Sequence, residues 1–380
     1  MKILIEREPL MASIQNVMKA ISSKTTIPIL SGIKFEANEQ EVKLTGSNSD
    51  ITIESVISRE EDGIVNIHEI IPGQIVVQAK FLPEIIRKLP DNQIEIQVDD
   101  DMNINIRSGH AEFKLNGQDP EEYPQLPVLQ TENSFDIQID LLKMLIRQTN
   151  FAVSTSETRP ILTGVHIKLD NNELGLVATD SHRLASRKIT IDQVENLSFN
   201  NVVIPGKSLS ELNKILEDTQ DTLQISVTDN QILFRTKHLY FLSRLLDGNY
   251  PETSRLIPDQ SKTVMKVNSK DLIQSIDRAS LLAKDNRNNI VKLVTQGQQN
   301  IQITSHSPEI GQVEELLQTI SIEGEEIKIS FNAKYMIDAL RAIDSEQVLI
   351  NFTGAMRPFV IRPEEESEQI LQLVTPVRTY

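Results

Sequence analysis

The sequence predicts an α+β protein made of three tandem copies of one domain, with helices packed on one face of antiparallel sheets. Two observations carry this. Lys80, Lys207 and Lys334 stand 127 residues apart without drift, and each opens a short segment with helical apolar spacing, 80–89, 207–216 and 334–343. The apolar residues keep register across the three segments: Leu82 with Leu209 and Met336, then Leu89 with Leu216 and Ile343. A fixed period of this length marks duplicated domains. Second, the segments are embedded in cleanly alternating runs, such as 33–37, 103–107, 165–169 and 231–235. Half-buried antiparallel strands alternate in this way.

Each repeat opens with a strand (2–6, 134–139, 264–267) that leads into a helix. Leu10, Ile14, Val17 and Ile21 fall on one helical face, as do Leu141, Leu142, Leu145 and Thr149, and then Leu272, Ile273, Ile276 and Ala279. Six helices are expected, over 8–22, 80–89, 140–152, 207–218, 270–283 and 333–343. After the first helix comes a second marker, Pro28-Ile-Leu-Ser-Gly32 in one repeat and Pro160-Ile-Leu-Thr-Gly164 in the next; the third has Asn289-Ile-Val-Lys-Leu293 and lacks the proline. The period-marking helix lies between strands expected at 75–79 and 94–98, 202–204 and 223–227, and 327–331 and 348–352. The turns Gly117-Gln-Asp-Pro-Glu-Glu-Tyr-Pro124 and Asp247-Gly-Asn-Tyr-Pro251 close the first two repeats, and Pro127 and Pro258 mark linkers. The domains are therefore expected at 1–127, 128–257 and 258–380, each long enough to bury its own core.

The composition narrows the chemistry. With no Cys there is no disulfide, thiolate metal site or cysteine nucleophile. The six histidines (His68, His110, His166, His182, His238, His306) are scattered, and no two stand at helical ligand spacing, so no metal or other cofactor is expected. Gly206-Lys207-Ser208 resembles the end of a phosphate loop, but the upstream glycine that motif requires would be residue 201, which is Asn201. Asp180, Ser181 and His182 are acid, nucleophile and base by type, yet neighbours on an extended strand point to opposite faces and form no relay. No signal pattern opens the chain and no apolar run nears the ~20 residues of a membrane span, so a cytoplasmic protein without membrane contact is expected.

The formal net charge is −16, which by itself argues against nucleic acid. Its distribution changes the picture. The six expected helices hold 12 basic and 9 acidic residues, which leaves −19 on the rest of the chain. If the helices share one surface, that surface is mildly positive and the outside strongly negative. Three functional classes stay open at this point: a ring, a repeat-domain protein-interaction scaffold, and an enzyme around Asp180 and His182.

Five motifs decide between them. They are Ala178-Thr-Asp-Ser-His-Arg-Leu-Ala185, Thr26-Ile-Pro-Ile-Leu30 with the glycine after it, Arg107-Ser-Gly109 before Phe113, Asp247-Gly-Asn-Tyr-Pro251, and the terminal Thr375-Pro-Val-Arg378. In this order and over the whole length, the chain resembles the bacterial DNA polymerase III β subunit family, the β sliding clamps, of Gram-positive type. The resemblance implies a non-catalytic processivity factor: a head-to-tail homodimeric ring of six clamp domains, two helices inside and antiparallel sheets outside in each. Such a ring encircles duplex DNA independently of sequence and tethers replicative polymerase, clamp loader and other proteins bearing a clamp-binding motif. The alternative is a repeat-domain scaffold that does not encircle DNA. The ring is physically reasonable: a 125-residue domain is about 35 Å across, and six such spheres in a hexagon leave a hole of about that width.

The resemblance also implies sites. Lys24 corresponds to a basic residue that touches DNA in the family. With the cations of the expected helices it forms a DNA-facing set of Lys24, Lys80, Arg87, Lys88, Arg147, Lys207, Lys214, Lys334 and Arg341. A peptide-binding groove between the second and third domains is implied at Leu162, Thr179, Ser181, His182, Arg183, Leu184, Pro251, Leu256, Thr375, Pro376, Val377 and Arg378. Ser181 stands where many members have Gly, and Thr375 and Val377 where some have Met. The dimer contact is implied to join Phe113 to Leu281 and Leu282 of the other subunit, while His110 and Glu112 occur where some members are basic.

Overall fold

The alternating runs pair as antiparallel ladders throughout. The computed structural model describes residues 1–22, 24–124, 134–191, 197–283, 289–365 and 369–378. Two compact units emerge from the packing, one of residues 1–140 with 211–245, the other of 141–210 with 246–380. The first unit holds a 13-stranded sheet and a two-stranded hairpin; the second holds a nine-stranded and a four-stranded sheet. The repeats do not separate into three packing units because strands pair across them. Strand 51–58 of the first repeat pairs with 239–244 of the second, inside the first unit. Strand 183–190 of the second pairs with 370–374 of the third, inside the second unit. The boundary expected near 128 lies outside the described residues; the one near 257 follows a short helical turn at Ser254–Leu256.

Among the described residues six α-helices form: α1 (Arg7–Met18), α2 (Leu82–Lys88), α3 (Ile139–Thr149), α4 (Gly206–Ile215), α5 (Ser269–Ala283) and α6 (Ala333–Ile343). The period-marking residues behave alike in α2, α4 and α6. Leu82, Leu209 and Met336 are at most 1% exposed, and Leu89, Leu216 and Ile343 at most 5%. Each helix thus buries the same stripe against its sheet, and that shared burial is what keeps the period in register.

The expected helix ends need correction. The segment 8–22 is helical only to Met18, because the N–H groups of Lys19, Ala20 and Ile21 turn back to carbonyls three residues earlier. This tightens the last turn. The segment 140–152 ends at Thr149 and continues as a 3-10 turn, Asn150–Ala152, where the Asn150 amide donates to Gly206 O and Ser210 Oγ. The segment 80–89 begins at Leu82 with Pro83 in the first turn, where a missing N–H costs nothing. The segment 207–218 stops at Ile215. The α6 prediction holds: Asn332 caps its start by accepting from the Tyr335 N–H at 3.3 Å, and Asp344 ends it in the left-handed conformation.

The Pro-Ile-Leu-x-Gly marker has a packing cause. Pro28–Ser31 and Pro160–Thr163 are 3-10 turns, each delivering a glycine to the first position of a strand. A Cβ on Gly32 would stand 2.5 Å from Val76 Cγ1, and one on Gly164 2.7 Å from Ile204 O. The glycine serves close approach to the neighbouring strand rather than an unusual backbone angle. No helix among the described residues is long and apolar enough to cross a membrane.

Candidate functional sites

The run 178–185 is a strand end, a tight turn and a new strand. Thr179 closes strand Glu173–Thr179, and Arg183 opens strand Arg183–Thr190. Asp180, Ser181 and His182 therefore occupy a turn between two strands rather than an extended strand. Asp180 Oδ1 accepts the N–H groups of His182 (2.9 Å) and Arg183 (3.0 Å), so its carboxylate builds the turn. Thr179 Oγ1 accepts from the Ser181 N–H (3.1 Å) and donates to Arg183 O (2.6 Å). Ser181 sits at φ +77°, a region that favours glycine.

Arg183, one of the implied groove residues, is held by the protein's own groups. Its residue is 8% exposed. Nε donates to Asp180 Oδ2 at 3.0 Å, Nη1 to Asp338 Oδ2 at 2.8 Å and Nη2 to Phe151 O at 2.7 Å. Its guanidinium lies over the rings of Tyr335 (4.5 Å) and Phe151 (5.4 Å). Arg183 thereby ties the turn to α6 and to the segment after α3. Neither Tyr335, Asp338 nor Phe151 was singled out from sequence. The available signal was position: Tyr335 and Asp338 follow the period-marking Lys334 on α6.

Around this anchor the remaining groove candidates assemble within the second unit. Thr375 donates from both N–H (2.9 Å) and Oγ1 (2.7 Å) to His182 O, and the Val377 N–H donates to Ser330 O at 2.7 Å. The segment 375–378 is thus laid beside the turn. The His182 ring stacks on Tyr335, 6.5 Å between centroids. The hydroxyl of Tyr250, next to Pro251, accepts the Thr179 N–H at 3.0 Å, and burial pushes its pKa well above the usual phenol range. Leu184 is buried with Val360, Leu371 and Leu373, and Ile257 packs on that group. Leu162, Thr179 and Leu184 are buried walls, whereas Ser181, His182, Pro251, Leu256 and Arg378 are exposed and Thr375, Pro376 and Val377 half-buried. Apolar walls, an exposed imidazole and a partly open C-terminal segment are the ingredients of a peptide cleft.

All nine basic candidates are exposed. Lys80 lies just before α2, with its ammonium 4.9 Å from the Phe81 ring centre. Arg87 and Lys88 share Glu84, at 2.5 and 3.6 Å; Lys214 pairs with Glu211 at 2.8 Å and Lys334 with Asp338 at 2.7 Å. These contacts offset part of the positive charge. Among the described residues Lys24, Lys80, Arg147, Lys207 and Arg341 carry no ion pair.

Of the apolar candidates, Phe113 is 37% and Leu281 62% exposed, and Leu282 is half-buried. Phe113 lies on strand Ala111–Gln118, and both leucines at the end of α5. Phe113 and Leu281 are therefore large apolar side chains that meet water in the single chain.

Comparison with known proteins reads the same way along the chain. Residues 1–127 match the DNA polymerase III beta subunit N-terminal domain, 136–252 its central domain and 254–378 its C-terminal domain. The chain is 55% identical to the beta sliding clamp of Bacillus subtilis over 382 aligned residues, covering all of both chains. It is 49% identical to that of Halalkalibacterium halodurans, again over the full length of both. The crystal structure of the DNA polymerase sliding clamp from Bacillus subtilis superposes with a TM-score of 0.97 at 54% identity, covering 100% of each chain.

Proposed function

The chain belongs to the DNA polymerase III beta subunit family, the beta sliding clamps, and we infer that the surfaces assembled above are the ones through which it closes on itself, faces DNA and receives its partners. It is a non-catalytic processivity factor that acts as a dimeric ring on duplex DNA and tethers polymerase. Its three domains are taken at 1–127, 128–257 and 258–380, and its place of work is the cytoplasm, where replication requires it.

One observation carries the self-association surface. Neighbouring repeats join strand to strand, 51–58 to 239–244 and 183–190 to 370–374. The strand at the corresponding place in the third repeat, Gly311–Gln318, pairs only with Asn300–Ser307 among the described residues. The first repeat's counterpart of 239–244 is Ala111–Gln118, which among the described residues uses its second edge only at Gly117 and Gln118. Each chain therefore offers one open edge of each kind. Two copies joined head to tail satisfy both, and a heterologous contact repeated twice closes the ring. Phe113, Leu281 and Leu282 supply the apolar cover of that junction. Leu281→Asp with Leu282→Asp should yield monomers in sedimentation at micromolar protein, since buried unpaired charges are costly; an intact dimer would refute the assignment.

The cleft around His182 receives a short peptide. Its apolar anchors seat against Leu162, Leu184 and Val360, the mouth is framed by Pro251, Leu256 and the 375–378 segment, and the His182 imidazole and Arg378 set direction. Arg183 and Thr179 act as positioning residues that hold the turn. The nine exposed cations face phosphates across water, so the attraction is sequence-independent and mobile, and the strongly acidic remainder keeps DNA from the outer surface.

A further inference from the structure

Resting on the head-to-tail reading above, the ladder registers of the two inner junctions point to a like-charge contact at the junction between chains: we propose that Glu112 of one protomer lies directly opposite Glu314 of its partner, so that this ring closes against paired carboxylates.

The register follows from walking the ladders. In the second repeat Gln224 faces Arg235, and Arg235 faces Tyr240. In the first, Glu95 faces Arg107, and Arg107 faces Glu112. Glu112 therefore occupies the place of Tyr240. On the other side, Lys34–Thr45–Glu54, His166–Val177–Ser186 and Lys292–Thr304–Glu314 are the same walk in the three repeats. Tyr240 opposes Glu54 at the first inner junction, and Leu371 opposes Ser186 at the second. The third member of this series is Glu112 opposite Glu314. The neighbouring pair supports the alignment. Phe241 opposes Ile53, both fully buried, and the same step sets Phe113 opposite Val313, which packs on the core beneath α5.

The alternation of the strand fixes which groups surround the two carboxylates. Glu315 turns toward α5, accepting from Ser275 Oγ at 2.6 Å and pairing with Arg278. Glu314 therefore faces the opposite side, where it is exposed and accepts from the Gln302 amide. Glu112 is exposed on the same side, 3.0 Å from Arg107, which also reaches Glu95 at 3.5 Å. In the proposed register Lys114 comes opposite Gln312 and diagonal to Glu314. Arg107 and Lys114 soften the repulsion, but among the described residues this register sets no cation between the two glutamates. Neither inner junction carries such an opposition.

Like charges directly opposite on a strand pair weaken it, and opposite charges strengthen it, by a factor of roughly 2 to 5 each. Reversing one charge removes the first effect and adds the second at both junctions of a closed dimer, so its dissociation constant changes by about 16- to 600-fold. The test is a double-mutant cycle read by dilution of fluorescently labelled full-length protein, with sedimentation velocity as a second readout. Glu314→Lys should tighten the dimer by that factor, and adding Glu112→Lys should return it toward the parent, because two lysines then oppose one another. Additive effects of the two changes would overturn the register while leaving the head-to-tail dimer standing. A dimer insensitive to Leu281→Asp with Leu282→Asp would instead remove the reading on which the register rests. Should a lysine variant fail to fold by circular dichroism, the Glu112→Gln and Glu314→Gln cycle gives the same discrimination: each single change tightens the dimer, and the double change tightens it no further than either alone.

Discussion

Arg183→Ala separates a positioning arginine from a peptide-contacting one. The guanidinium side chain is 9% exposed, and its carboxylate partners Asp180 and Asp338 are 12% and 21% exposed. Removing one member of a buried pair costs about 3–5 kcal/mol, because the other is left without compensation. Here two features argue for the low end. Asp338 keeps Lys334 at 2.7 Å, and Asp180 keeps the N–H groups of His182 and Arg183. The variant should therefore lose about 3 kcal/mol, which at a slope of about 3 kcal/mol/M moves the urea midpoint down by about 1 M. Arg183→Lys should recover less than half of the loss, since an ammonium cannot serve Asp180, Asp338 and Phe151 O from one planar fork. Peptide affinity should fall with Arg183→Ala because the turn carrying His182 is released. His182→Ala should weaken the peptide without moving the midpoint. An Arg183→Ala midpoint within 0.2 M of the parent (about 0.6 kcal/mol) would refute the positioning role.

Two further outcomes are expected. Reversing Lys80, Lys207 and Lys334 together to Glu should slow loading onto nicked circular DNA and make its logarithmic salt dependence shallower, by up to about 0.9 per lost phosphate contact; an unchanged salt slope would take these lysines away from DNA. Glu61 accepts from Lys237 at 2.8 Å and lies 2.5 Å from the His238 ring, and the Lys237 hydrogen bond is the main cause that holds its carboxyl below its ordinary 4.5. A depressed folded pKa favours the charged form, so this contribution is present above the unfolded value and is lost as pH falls through the folded one. Glu61→Gln should accordingly destabilise the protein at neutral pH, and the difference from the parent should vanish in acid; a pH-independent difference would show that the ion pairs are not its source.

The parts of the fold that were legible in the sequence are those written in periodic burial. Leu82, Leu209 and Met336 repeat because each is the first large side chain buried by an equivalent helix, and Asn103–Ser108 alternates because one face of its strand is covered. The helix ends were less legible. Nothing in Lys19-Ala-Ile21 announces the switch to shorter hydrogen bonds, and the Asn150 side chain that ends α3 is held by residues more than fifty positions away. The groove turn was recognisable as a motif but not as a geometry. That Arg183 is buried depends on Asp338, 155 positions along the chain, and on an aromatic face from α6. A local pattern cannot report a partner that distant. The Pro-Ile-Leu-x-Gly marker stood out for its proline, while its physical reason, the approach of Gly32 to Val76, became visible only in three dimensions.

The central claim is topological, and retention on DNA tests it most directly. Loaded onto a nicked circular duplex and separated from free protein, the chain should stay with the circle and leave once a single cut linearises it. Protein that remained on the linear duplex after cutting would contradict encirclement and return the chain to a direct binder.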